Sequence, residues 1–143
     1  MAPNTKRKVA DYSWLGDKLK GLKVYLAGPV AEYKHDGIVF DIQGNIDRHL
    51  AAAKAMRESG VEIVSLVEWG YEKYGLNDSE AARQDILLRN ATVLSSAPHG
   101  SFMVAVRRHD GTLSRGVVAE IDAFPWKNRI IYVGHHFGKE VEP

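Results

Sequence analysis

Seven consecutive residues, Ser114-Arg115-Gly116-Val117-Val118-Ala119-Glu120, bring a hydroxyl, a guanidinium, a glycine and a carboxyl within two helical turns. Ser114 falls where a helix N-cap is expected, and the first-turn amides with Arg115 beside them make a ready anion site. Glu120 lies about 120° around such a helix from Ser114, at roughly 100° per residue. Val117, Val118, Ala119 and Ile121 flank it, so its carboxyl is expected to be partly desolvated. Desolvation raises a carboxyl pKa unless hydrogen bonds hold the group ionised. On its own the stretch describes either a structural acid or a catalytic one.

Two further segments carry residues of the right kind. In Tyr25-Leu26-Ala27-Gly28-Pro29 a glycine follows an apolar run, which lets a ligand approach the backbone, and Pro29 fixes the exit direction. The same residues also suit a plain turn. Neither G-x-x-x-x-G-K-[ST] nor G-x-G-x-x-G occurs, which excludes a P-loop nucleotidase and a classical dinucleotide fingerprint. Asp85 sits inside an amphipathic pattern, where a lone acid is either solvated or, if its helix begins at the ligand edge, a second functional carboxyl. The six histidines show no H-E-x-x-H spacing, and His135-His136 reads as an exposed pair. With no cysteine, thiolate metal sites, disulfides and a cysteine nucleophile are excluded. No metal and no cofactor is expected.

These residues need a scaffold. Leu22 to Ala27 reads as a strand ending at Gly28-Pro29, and Asn45 to Ser59 as a helix with Ile46, Leu50, Ala53 and Met56 on one face and Gly60 after it. Val61 to Val67 reads as a second strand. A helix capped by Asn77, Asp78 or Ser79 carries Asp85 and continues towards Pro98. Phe102 to Val106 is a third strand, His109 to Thr112 a turn, Ser114 to Phe124 a helix stopped by Pro125, and Arg129 to Val133 a last strand. Strand and helix alternate throughout. The expectation is a single-domain α/β fold of the Rossmann-like, flavodoxin-like kind, a parallel sheet with helices on both faces and ligands beyond the strands' carboxyl ends.

Bulk properties set the outer limits. One domain is expected from 143 residues, as residues 22–143 behind a lead-in of residues 1–21 whose Tyr12 and Trp14 pack on it. A net charge of +1 gives no field that would favour nucleic acid or an anionic membrane. No window is apolar enough to span a bilayer, and Met1 to Lys8 lacks the apolar run of a signal peptide, so a cytoplasmic location is expected.

Tyr25-Leu26-Ala27-Gly28-Pro29, then Asp85, then Ser114-Arg115-Gly116-x-x-x-Glu120 resemble, in order and placement, the nucleoside 2-deoxyribosyltransferase-like superfamily. The serine-containing block is most similar to that of the nucleoside 5′-monophosphate N-glycosidases. The resemblance covers about residues 22 to 134. It implies hydrolysis of a nucleotide's N-glycosidic bond through a covalent glycosyl-Glu120 intermediate, releasing base and (deoxy)ribose 5-phosphate. It further implies that Tyr25 orients Glu120, that Asp85 helps protonate the leaving base, and that Ser114, Arg115, Gly116, Gly28 and Pro29 bind substrate. The loop after Pro29 lacks the family's arginine, which leaves Lys34 or His35 as the phosphate contact. Base exchange by a deoxyribosyltransferase and a non-catalytic nucleotide-binding module are the alternatives. A homodimer is implied, with the tail from His135 to Pro143 reaching a neighbouring subunit.

Overall fold

The computed structural model describes residues 11–135. Its centre is β1 (Lys23–Ala27), flanked by β4 (Glu62–Ser65) and β5 (Phe102–Val106), with β6 (Ile130–Val133) beyond β5. All neighbours are parallel, with Tyr25 opposite Val64 and Met103, and Val104 opposite Ile131. β1 and β5 are buried on both faces, which is why each reads as a continuous apolar run. The strand order and the parallel pairing are those of a flavodoxin-like sheet, as the alternation of strands and helices predicts.

Helices cover both faces. On one side α1 (Ser13–Leu19) and α2 (Ile42–Glu58) bring Leu15, Leu19, Ala52, Ala53 and Met56 against Val24, Leu26, Val104 and Val133. On the other, α4 (Glu80–Ser95) and α5 (Arg115–Ala123) bring Leu94 and Val117 against Tyr25, Ala27, Met103 and Ala105, with Phe124 beside them. Side chains alternate across a strand, so Val24 and Leu26 serve one core while Tyr25 and Ala27 serve the other. Three helices start on side-chain caps: Asp41 accepts from the Gly44 N–H, Ser79 from Ala82 and Ser114 from Val117.

Three elements differ from the sequence expectation. Residues 13–19, assigned to the lead-in, form α1, with Leu15 and Leu19 fully buried and Tyr12 and Trp14 packed on the same core. Gly16 lets it approach α2, since a Cβ there would lie 2.6 Å from the Ser59 side chain. Residues 33–40 form a separate antiparallel hairpin of β2 (Tyr33–His35) and β3 (Ile38–Phe40). Asp36 and Gly37 close it with φ of 50° and 76°, the left-handed pair that a two-residue hairpin turn needs. Glu68–Tyr74 form the short helix α3 before α4. The chain's first ten residues and residues 136–143, including His136 and most of the tail expected to reach a second subunit, lie outside the described residues.

Candidate functional site

The loop after β1 leads to α2 on one face of the sheet, whereas the loop after β5 leads to α5 on the other. The crevice between those divergent loops is where ligands of open α/β sheets bind. Gly28, Pro29 and Val106 line a pocket there, together with Tyr12, Asn45, Arg48, His49 and His135. Its volume is about 30 Å3, room for two or three waters on the scale where one needs roughly 10–15 Å3.

Glu120 projects from α5 on the other face of the sheet. It is 9 % exposed, and its Oε2 accepts a hydrogen bond of 2.8 Å from Asn90 Nδ2 on α4. The same amide donates to the Leu66 carbonyl at 2.9 Å, and Leu66 directly follows β4. Asn90 therefore ties the carboxyl to the carboxyl end of the sheet. Burial pushes the Glu120 pKa up from 4.5 to about 8, and the Asn90 hydrogen bond opposes that only in part. Of the alternatives the sequence leaves open, desolvation prevails over ionisation.

On the pocket side, β4 ends in Ser65, whose hydroxyl lies 2.6 Å from His49 Nε2. Ser65 Oγ also accepts from the Val67 and Glu68 amides at 3.3 and 3.2 Å. With both acceptor positions taken, the hydroxyl proton goes to Nε2, and the neutral ring carries its N–H on Nδ1. Burial, reinforced by the Arg57 charge, lowers the His49 pKa to about 3, so the ring is neutral. A Cβ on Gly28 would stand 3.5 Å from that Nδ1, so the Nδ1 proton faces the chain just past β1. Two successive residues of β4's end, Ser65 and Leu66, thus anchor one polar group on each face of the sheet.

The hairpin closes over this edge by ring contacts. Phe40 stacks on His109 with centroids 3.7 Å apart, Tyr33 Oη lies 2.7 Å from His109 Nδ1, and the His109 and His135 rings are 3.4 Å apart. His135 is half-buried in this stack, which corrects the reading of an exposed histidine pair. Arg48 lies over the Phe40 ring at 5.4 Å and Arg108 over Tyr33 at 5.7 Å.

The other expected site residues are dispersed. Tyr25 is buried on the Glu120 side of the sheet, its ring 6.0 Å from Phe124, one helical turn beyond Glu120. Asp85 is on the surface of α4, 2.8 Å from Lys73 Nζ and hydrogen-bonded by the Tyr74 hydroxyl. Those two partners hold its carboxyl below the usual range. Five residues separate Asp85 from Asn90, about 140° around the helix, so the two face different neighbours. Ser114 spends its oxygen as the cap of α5, and Arg115 and Gly116 beside it are exposed, as is Lys34 on β2. Among the described residues no cluster of histidines and acids could hold a metal ion. No helix of the described residues is long and apolar enough to cross a membrane.

Asn90, Arg48 and His49 were not singled out by the sequence. A signal for two of the site's polar residues was there: Asn45 and His49 sit four apart on the helix face that also carries Ala52, Ala53 and Met56. Polar residues at core-facing spacing are unusual enough to mark a site. No family model, curated protein or solved structure matches the chain.

Proposed function

We propose that the chain hydrolyses the N-glycosidic bond of a nucleoside 5′-monophosphate, with Glu120 as the group that acts at the anomeric carbon. The observation that carries the reading is a deeply buried carboxyl, held by one neutral amide at the carboxyl end of a flavodoxin-like sheet. A carboxylate there stabilises an oxocarbenium-like centre and can trap it covalently. The ionised Glu120 attacks C1′, the C1′–N bond breaks with its electron pair on the base nitrogen, and that nitrogen takes a proton from solvent, which the water of the second step gives back. Water then cleaves the glycosyl ester, giving (deoxy)ribose 5-phosphate and restoring the carboxylate. Low dielectric around Glu120 strengthens its attraction to the developing positive charge. The same burial makes its resting form largely protonated at neutral pH. Asp85, held ionised by Lys73 and Tyr74, has no part in this step as the side chains stand.

Incubation with a panel of nucleosides and nucleoside monophosphates, followed by chromatography for free base, tests the reading. Base release from monophosphates and not from nucleosides supports it. Release only when a second base is supplied would instead indicate a deoxyribosyltransferase. Silence on every substrate, with nucleotide binding retained, would leave a binding module in which Glu120 is a structural acid. Assembly as a homodimer belongs to the same proposal, and sedimentation measures it directly.

A further inference from the structure

The pocket between the ends of β1 and β5 is lined by side chains that offer protons. Arg48 reaches it from α2 with one guanidinium nitrogen, Nη2, committed to Asn45 Oδ1 at 2.5 Å. Its Nε is buried and has no hydrogen-bond partner among the described residues. The ion pairs among the described residues do not include Arg48. His49, the next residue, turns its Nδ1–H towards Gly28, as its bond to Ser65 requires. Asn45 is held in place, its oxygen accepting from Arg48 and its amide donating to the Val30, Ala31 and Phe40 carbonyls. Among the described residues no Asp or Glu lines the cavity. A buried donor without a partner is destabilising, so a ligand that accepts from it recovers that loss.

We infer that this pocket is an oxyanion site that takes a phosphoryl group, bound by Arg48 and His49 beside the Gly28 backbone. The size agrees, since room for two or three waters suits a small oxyanion. The charge agrees as well: the positive field of Arg48 acts on both Tyr12 and Tyr33, which flank it. Arg48, a residue that no sequence motif marks, takes the place given to Lys34 or His35 as the phosphate contact. Identifying the phosphoryl group as a nucleotide's 5′-phosphate rests on the proposed glycosidase reading; the oxyanion site itself does not.

The test uses the full chain, inorganic phosphate and ribose 5-phosphate at matched ionic strength against chloride, with thermal shift and calorimetry as readouts. Phosphate is expected to raise the Tm of the wild type. Arg48→Gln is expected to weaken phosphate binding at least tenfold. Gly28→Ala puts a methyl 3.5 Å from both His49 Nδ1 and Val106 Cβ, ordinary contact that the fold accepts, and is expected to fill the cavity and abolish binding. Absence of any phosphate effect on the wild type, or binding unchanged in both variants, overturns the inference. So does binding that is lost in Ser114→Ala and kept in Arg48→Gln. A parallel rise in KM for a nucleoside monophosphate identifies the substrate's phosphate as the occupant, and an effect confined to inorganic phosphate identifies a free anion. If both variants lose phosphate while the wild type cleaves no nucleotide, the oxyanion site stands and the glycosidase reading falls.

Discussion

Asn90 Nδ2 and Glu120 Oε2, 30 residues apart in sequence, meet at 2.8 Å inside the layer between α4 and α5. The bond is neutral on the donor side, so it orients the carboxyl without forcing it to ionise. An arginine in place of Asn90 would fix the carboxylate charged and lower its pKa. The amide leaves a carboxyl whose charge depends on pH near the physiological range.

Replacing that carboxyl by an amide separates chemistry from folding. Glu120→Gln keeps an oxygen for Asn90 and removes the nucleophile. Base release is expected to fall by about a thousandfold or more, the scale on which loss of a covalent nucleophile is felt. The thermal midpoint at pH 6 is expected to stay within a few degrees. Chromatographic rates and calorimetry on the same sample check both halves.

The pH profile of the wild type follows from the raised pKa. The nucleophile is the carboxylate, and with a pKa of about 8 only about one tenth of it is ionised at pH 7. The value of kcat/KM, which reports the free enzyme, is therefore expected to climb about tenfold per pH unit and level off above pH 8. A profile flat from pH 6 to 9 would sink the assignment of Glu120 as the attacking group.

Stability moves the opposite way. Between pH 4.5 and about 8 the folded chain keeps a proton on Glu120 that the unfolded chain has released. Stability therefore falls as pH rises through that window and is level on either side of it, by an amount on the order of 5 kcal/mol. Urea unfolding of wild type and Glu120→Gln from pH 4 to 9 isolates the effect, because the amide variant lacks this contribution.

Asn90→Leu removes the donor to both Glu120 and the Leu66 carbonyl. Two buried acceptors are left unsatisfied, and the expected loss is about 2–3 kcal/mol. The pH–rate profile should shift upward, since the one interaction that favours the carboxylate is gone. Asp85→Asn, in contrast, is expected to leave kcat within about threefold, because its partners are Lys73 and Tyr74 at the surface. A loss of a hundredfold in Asp85→Asn would return Asp85 to the reaction.

The parallel sheet is legible in the sequence because β1 and β5 are buried on both faces and read as unbroken apolar runs, while β4 and β6 at the edges alternate. Ser114 and Pro125 mark the two ends of α5 in the same direct way. α1 is less visible: Leu15 and Leu19 are four apart, but Asp17, Lys18 and Lys20 surround them and their core partners come from α2 and the sheet. The hairpin has a signal, Asp36-Gly37 between Tyr33-Lys34-His35 and Ile38-Val39-Phe40, masked by a strand that leaves Ile38 and Val39 58 % and 54 % exposed. In the site, Glu120 is legible from its motif and its apolar flanks. Asn90 is not, since a helical asparagine gains its meaning only when the Leu66 carbonyl and Glu120 arrive from two other elements. Arg48 and His49 are adjacent in sequence yet differ in role, Arg48 half-exposed at the pocket and His49 buried against Ser65, a distinction that requires the helix to be docked.

The hairpin shares no backbone ladder with the four-stranded sheet. Among the described residues it is attached by the Asn45 amide, by the rings of Tyr33 and Phe40 against His109, and by Arg48 and Arg108 over those rings. Amide protons inside the hairpin can therefore exchange with deuterium through a local excursion, at a free energy set by those side chains, while β1 and β5 exchange only when the whole domain unfolds. Substitution at Phe40 or His109 is therefore expected to speed exchange in the hairpin while leaving β1 and β5 protected, so the two stabilities are separately adjustable.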